Sequence, residues 1–382
     1  MHSLYSWSLL ALAAGVLPVA TTEWCNPPLG TYGYMYYVES QSGLDEIADH
    51  CTTVNGTIVM AYNYTDSSFY LPKVRNITGS LQWEHNLDYY DTRPSPATID
   101  LPDLEELGSS MYLNGLPTLR NISMPKLKTQ GWELHVNYVH EADFRSLETG
   151  KYITITGNIS TLRLDALRDV SERLLICNMD LCGPDNSPAS SLDISLLSLE
   201  SAGSVSLQGR ISSLEVPALT RMGDGSGIYN LEFSSSGGPT INLTFPRLTS
   251  IVRDMIFTGD IGGFAMPNLR KMSETSLLLT TFKPLAVNLP FDAVNDILLR
   301  GNISSVELPN LHNLTGYFTV DSDLPLDCDS ILDTISTATN VTASAGGKLH
   351  CTSSAAWSNH TGRSTTVKLA IAVMVLMLGW QL

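Results

Sequence analysis

A chain of 382 residues that is 43% hydrophobic and only 16% charged holds ample apolar surface for one elongated domain. Its formal net charge of -16 argues against nucleic acid as a partner, because phosphate binding needs a basic face. Six cysteines, an even number, point to disulfides and an oxidising compartment.

The first element is a targeting segment. Residues 1–20 carry Leu4, Leu9, Leu10, Leu12, Val16 and Leu17 and no Asp, Glu, Lys or Arg, the pattern of a secretory signal peptide cleaved near Ala20 to Thr22. Residues 21–56 follow as an N-terminal cap. There TYGYMYYV (31–38) reads as a strand, and Ser42 to His50 as a short amphipathic helix with Leu44, Ile47 and Ala48 on one face.

From 57 to 320 the chain repeats itself. GNISTLRLDAL (157–167), GRISSLEVPAL (209–219) and GNISSVELPNL (301–311) share the template Gly-x-Ile-Ser-x-φ-x-φ-(Pro/Asp)-x-Leu, with φ aliphatic. In Leu162-Arg163-Leu164, Leu214-Glu215-Val216 and Val306-Glu307-Leu308 two apolar residues flank a charged one, the alternation of a half-buried strand. Pro217 and Pro309 end it, since proline has no N–H for a sheet ladder. The φ-Pro-x-φ step recurs at 71–74, 101–104, 124–127, 245–248 and 266–269, and without proline at 144–147 and 291–294. Such short units cannot bury an apolar face alone, so successive coils must stack on one another. The expected fold is therefore mainly β, a right-handed parallel β-solenoid with disulfide-tied caps. The spacing is irregular and the Leu-x-x-Leu-x-Leu-x-x-Asn frame is missing, so a strict leucine-rich repeat does not fit. Longer insertions are expected at 89–97, 183–191 and 223–227, each polar or rich in Gly and Pro.

Residues 321–353 form a C-terminal cap, with a helix over Asp327 to Thr337 opened by Asp329 or Ser330. Residues 354–382 then carry small residues (Ser354-Ala355-Ala356), a polar spacer (357–366) and an apolar tail, together the signal for a glycosylphosphatidylinositol (GPI) anchor attached at Ser354, with Ser353 second. The apolar run of about 14 residues is short for a membrane span, which needs about 20. The implied partner is the plasma membrane, through the lipid.

N-glycosylation is expected at Asn55, Asn63, Asn76, Asn121, Asn158, Asn242, Asn302, Asn313 and Asn340, while Asn359 would leave with the tail. Asn158 and Asn302 occupy equivalent repeat positions. Six cysteines allow fifteen pairings. Their order suggests the local ones, Cys25 with Cys51, Cys177 with Cys182 and Cys328 with Cys351, the first and last bracketing the solenoid.

Signal peptide, GNISSVELPNL-type coils, cysteines at both ends, dense sequons and a GPI signal resemble the fungal GPI-anchored cell-wall organisation proteins, whose fold resembles the receptor L-domain. The likeness covers nearly all of the mature chain. It implies a noncatalytic surface glycoprotein needed for wall integrity, at the plasma membrane or in the wall, with cell-wall glucan or another polysaccharide as partner and with no catalytic residues or cofactor to carry over. Members often carry a long Ser/Thr/Gly-rich stalk before the attachment site, whereas only a few residues separate Cys351 from Ser354 here.

The remaining polar clusters offer only faint candidates for chemistry. His135, His140 and Glu141 do not form an HExxH helix, so a packed or solvated coil is the plainer reading than a metal site. Asp103, Glu105 and Glu106 could supply the carboxylate pair of a wall-remodelling carbohydrase, but neighbours on one loop more simply make a charged turn; Glu84, His85 and Asp88 read alike. The GDGSG run (223–227) lacks the lysine of a phosphate cradle. Trp83, Tyr89, Tyr90 and Trp132 could stack on sugar faces or pack in the core, and a receptor or adhesin is a third reading.

Overall fold

A four-residue turn sets the pitch of the chain. At 101–104, 124–127, 144–147, 164–167, 196–199, 216–219, 245–248, 266–269 and 308–311 the N–H of the fourth residue donates to the carbonyl of the first. Proline suits the second place of such a turn because its fixed φ is preset for it. Both φ residues of the steps at 71–74, 101–104, 124–127, 144–147, 245–248, 266–269 and 291–294 point inward and are buried, while the two between them face solvent.

Between these turns the backbone of the computed structural model, which describes residues 22–30, 33–84, 96–178, 190–223, 229–339, 341 and 347–354, forms a three-sided β-solenoid of about 12 turns. The broad side is a parallel sheet whose rungs run from Gly33–Val38 and Thr57–Met60 through Glu133–Val136, 152–156, 173–178, Leu231–Ser235 and Met255–Gly259 to Phe318–Ser322 and Leu349–Ser353. A second side stacks Ser68–Tyr70, Thr98–Asp100, Asn121–Ser123, Glu141–Asp143 and Thr161–Arg163, then Leu192–Ser195 on Ile211–Glu215, and Ile241–Thr244 on Ile261–Ala265. The third is a ladder of two-residue strands such as Asn76–Ile77, Glu106–Leu107 and Thr129–Gln130. Lys271–Asn288 and Ala293–Glu307 run through all three sides and shift register at the corners. Leu, Ile, Val, Phe and Met from every side fill one continuous core, in which Phe257 meets Phe245 at a tilt at 5.9 Å and Phe264 edge to face at 4.7 Å.

The matched phrases are the second-side rungs, but they are not adjacent. They belong to one stack and recur on every second coil, and a fourth copy at 259–269, GDIGGFAMPNL, has glycine where the template asks for serine. The reason lies at the corner leaving the broad sheet. There the register aligns Gly157, Asn178, Gly209, Ser235, Gly259, Thr281, Gly301 and Ser322, glycine alternating with a buried polar residue. Each polar side chain bonds the isoleucine of the Gly-x-Ile one coil back. Asn178 Oδ1 accepts from Ile159 N at 2.8 Å, Ser235 Oγ donates to Ile211 O at 3.3 Å, Thr281 Oγ1 to Ile261 O at 2.8 Å and Ser322 Oγ to Ile303 O at 2.7 Å.

Both ends are coils in which a helix replaces the second-side strand. Helix α1, Gln41–His50, buries Leu44, Ile47 and Ala48. Its Gln41 side chain pairs with both backbone groups of Tyr70, donating at 2.7 Å and accepting at 2.9 Å, and so covers the exposed edge of the second side. Helix α2, Cys328–Thr339, packs Ile335 inward, and Asp327 is the residue that caps it, accepting from Ser330 N at 3.1 Å; neither Asp329 nor Ser330 does so. Strand Leu349–Ser353 then adds one more parallel rung, so the stack continues into the segment read as a cap. Disulfides Cys25–Cys51 and Cys328–Cys351 tie these terminal coils, each with Cα atoms 5.5 Å apart. Cys182 lies outside the described residues, as do 89–95 and 183–189 of the expected insertions and the signal and tail segments 1–20 and 355–382. No described helix is long and apolar enough to cross a membrane.

Candidate functional site

Several aromatic rings stand on or beside the outer face of the broad sheet, because alternate residues of each rung point away from the core. In its N-terminal half Tyr112 and His135 stand opposite one another in register and meet edge to face at 5.1 Å. Trp132, 51% exposed at the adjoining corner, lies 5.9 Å from Tyr152, and Lys151 Nζ sits 3.6 Å from its ring centroid. Trp83 is instead a core residue, only 8% exposed, so it offers no ring to a ligand. Tyr89 and Tyr90 lie outside the described residues.

In the C-terminal half three successive rungs place Ile256, Leu278 and Leu298 side by side on the same face. They floor a groove of about 330 Å³ that Tyr229 and Tyr317 also line. Asp254 and Asp296 form one wall. Asp254 Oδ1 accepts from Ser276 N at 2.7 Å; Asp296 accepts from Tyr317 N at 2.6 Å, from Ser276 Oγ at 2.9 Å and from Asn295 Nδ2 at 2.8 Å. Neither the floor nor this wall was legible beforehand, since its members are about 20 residues apart and each looks like an ordinary strand residue.

The sequons lie elsewhere. Asn76 and Asn313 are on the narrow ladder and Asn121 and Asn242 on the second side. Asn55, Asn63, Asn158 and Asn302 lie at corners. All eight side chains are at least partly exposed, and none belongs to a rung of the broad sheet. Asn340 is outside the described residues.

The carboxylates read as a possible catalytic pair have other occupations. Along the column of turns, Lys73 bonds Asp49 at 2.9 Å, Asp103 takes Lys126 Nζ at 2.7 Å and the Lys73 N–H at 3.0 Å, and Glu105 takes Lys128 Nζ at 2.8 Å. Lys126 chiefly holds the Asp103 carboxyl below the usual carboxylate range, and Lys128 does the same for Glu105. Neither then keeps a proton near neutrality, as a glycosidase acid must. Because these folded values are depressed, the stability they contribute is complete above the ordinary carboxylate pKa and is lost as the pH falls through the folded values. Lys126→Ala should move the Asp103 carboxyl midpoint, followed by NMR, up toward the ordinary carboxylate range; an unmoved midpoint would remove the ion pair as its cause.

Glu106 accepts from Asn76 Nδ2 at 3.2 Å, and Glu84 from Tyr62 N at 3.2 Å; His85 and Asp88 lie outside the described residues. His135 faces Glu133 and Asn137 on the broad sheet, whereas Glu141 begins a second-side rung and His140 precedes it, so the three do not converge. Among the described residues no group of three His, Cys, Asp or Glu could hold a metal ion. Of GDGSG only Gly223 is described.

At the C-terminal end Ser353 is buried in the last rung, its Oγ 3.4 Å from Leu326 O, and Ser354 is the first exposed residue beyond it.

Comparison with known proteins finds two fungal relatives. The chain is 22% identical over 315 residues to Protein ecm33 of Aspergillus fumigatus, covering 77% of this chain and 74% of that protein. It is 23% identical over 308 residues to Sporulation-specific protein 2 of Saccharomyces cerevisiae, covering 66% of this chain and 60% of the relative's length. No protein-family model matches, and no solved structure does. The chain is a distant homologue of these two fungal proteins, in keeping with the resemblance carried by its repeats.

Proposed function

We propose that this chain is a noncatalytic, GPI-anchored glycoprotein of the fungal cell surface that supports the organisation and integrity of the wall, residing on the outer face of the plasma membrane or in the wall. Its solenoid acts as a rigid scaffold rather than as an enzyme. The observation that carries the reading is the junction at Ser353 and Ser354: the last rung ends where the sequence begins its small-residue, spacer and apolar-tail signal. Buried Ser353 would have to leave its rung to meet a transamidase, so Ser354 is the attachment residue this reading favours. Distant homology to two fungal proteins across most of the chain supports the wall assignment. The carbohydrase reading is weakened because Asp103 and Glu105 are each committed to a lysine.

The test is direct. Phosphatidylinositol-specific phospholipase C should release the protein from membranes of its host, and mass spectrometry should find a mature chain ending at Ser354. A protein that stays in the membrane after treatment and yields peptides from 367–382 would overturn the anchor.

A further inference from the structure

We propose that the outer face of the broad sheet is a binding face for an uncharged polysaccharide, and that the groove over Ile256, Leu278 and Leu298 is its principal subsite. The proposal deepens the surface-glycoprotein reading by naming the class of partner.

Two independent observations single this face out. Aromatic rings stand on or beside it in both halves, Tyr112, Trp132 and Tyr152 in one and Tyr229 and Tyr317 in the other, and none of the eight described sequon asparagines lies on its rungs, so attached glycans would leave it bare. The groove's chemistry then selects the occupant. Its half-buried aliphatic floor matches the C–H face of a pyranose ring, and Tyr317, 56% exposed, offers a ring to stack against it. Among the described residues the Asp254 carboxylate accepts one hydrogen bond, through Oδ1, so its second oxygen can take a sugar hydroxyl, and the Thr319 hydroxyl, beside Leu298 in the floor row, can donate or accept. With Asp254 and Asp296 on one wall and a net charge of -16, an anionic polymer would be repelled. A peptide strand finds no purchase of its usual kind, because the rungs beneath the groove are hydrogen-bonded on both sides and present no edge. Parallel rungs about 4.8 Å apart make a long, periodic surface suited to an extended chain of similar units.

The experiment measures binding of laminarihexaose, chitohexaose and mannohexaose, with a heparin hexasaccharide as the anionic control, to the full-length protein purified in detergent. At least one neutral glycan should bind and the heparin fragment should not. Tyr317→Ala should weaken that binding about tenfold, in line with the loss of one aromatic stack, and Leu278→Arg should abolish it. Tyr70→Ala, which removes an exposed ring from the second side and so lies off this face, should change it less than twofold. Melting curves for each variant separate loss of fold from loss of contact. The proposal fails if no neutral glycan binds, if heparin binds as well, or if Tyr317→Ala and Leu278→Arg leave binding intact. It also fails if the wild type self-associates and Leu278→Arg makes it monomeric, which would mark the face as a contact between copies. Since binding is measured in detergent, it stands or falls separately from the phospholipase result.

Discussion

Gly301→Ala should lower unfolding free energy by about 3–4 kcal/mol, the sum of left-handed backbone strain and a core overlap. Gly301 has φ +86°, and a Cβ there would lie 2.1 Å from the Thr281 carbonyl oxygen of the neighbouring coil. Backbone, unlike the far end of a side chain, cannot step aside, and moving that carbonyl would break the register that joins 271–288 to 293–307. Gly237 supplies the control. It too has positive φ, +70°, but nothing stands within 4 Å of its would-be Cβ, so Gly237→Ala should cost only about 1 kcal/mol. Denaturant titration of both variants reads the difference, and equal losses would mean that the close approach of coils is unimportant.

Asn178→Ala should cost about 3 kcal/mol, because a fully buried N–H loses its acceptor along with two further bonds. Asn178 Oδ1 accepts from Ile159 N, and Nδ2 donates to Ser190 O at 2.6 Å and to Arg210 O at 3.1 Å. Asn178→Ser places there the residue found at 235 and 322 of the same column, whose hydroxyls reach back one coil. It should recover about half of the loss, since one hydroxyl replaces three bonds with one or two. Hydrogen exchange at the Ile159 amide gives an independent signal, fast in the alanine variant and protected in the serine one. An alanine variant as stable as the serine one would show that the column is not held by these side chains.

The φ-Pro-x-φ steps made the coils legible in the sequence, because a turn that needs two buried ends and a preset φ leaves its mark within four residues. Helix Gln41–His50 was legible for the same reason: Leu44, Ile47 and Ala48 fall on one face over a single short span. The pairs Cys25–Cys51 and Cys328–Cys351 were suggested by cysteine order and are present as drawn. Other features escaped. Trp83 could serve as core or as platform on composition alone, and burial made it core. Asp103 and Glu105 looked like a carboxylate pair until the turns before and after brought lysines to them.

By itself the sequence determined that short parallel coils must stack, where most of them turn, and which residues face inward, since each is written in periodicities shorter than one coil. Only the tertiary structure decided why the Gly-x-Ile phrase skips every other coil and which strand residues share the groove. Those depend on register between segments about 20 residues or more apart, joined by insertions of unequal length. A one-residue slip would turn Ile256, Leu278 and Leu298 inward and dissolve the site, yet it would leave every local motif unchanged.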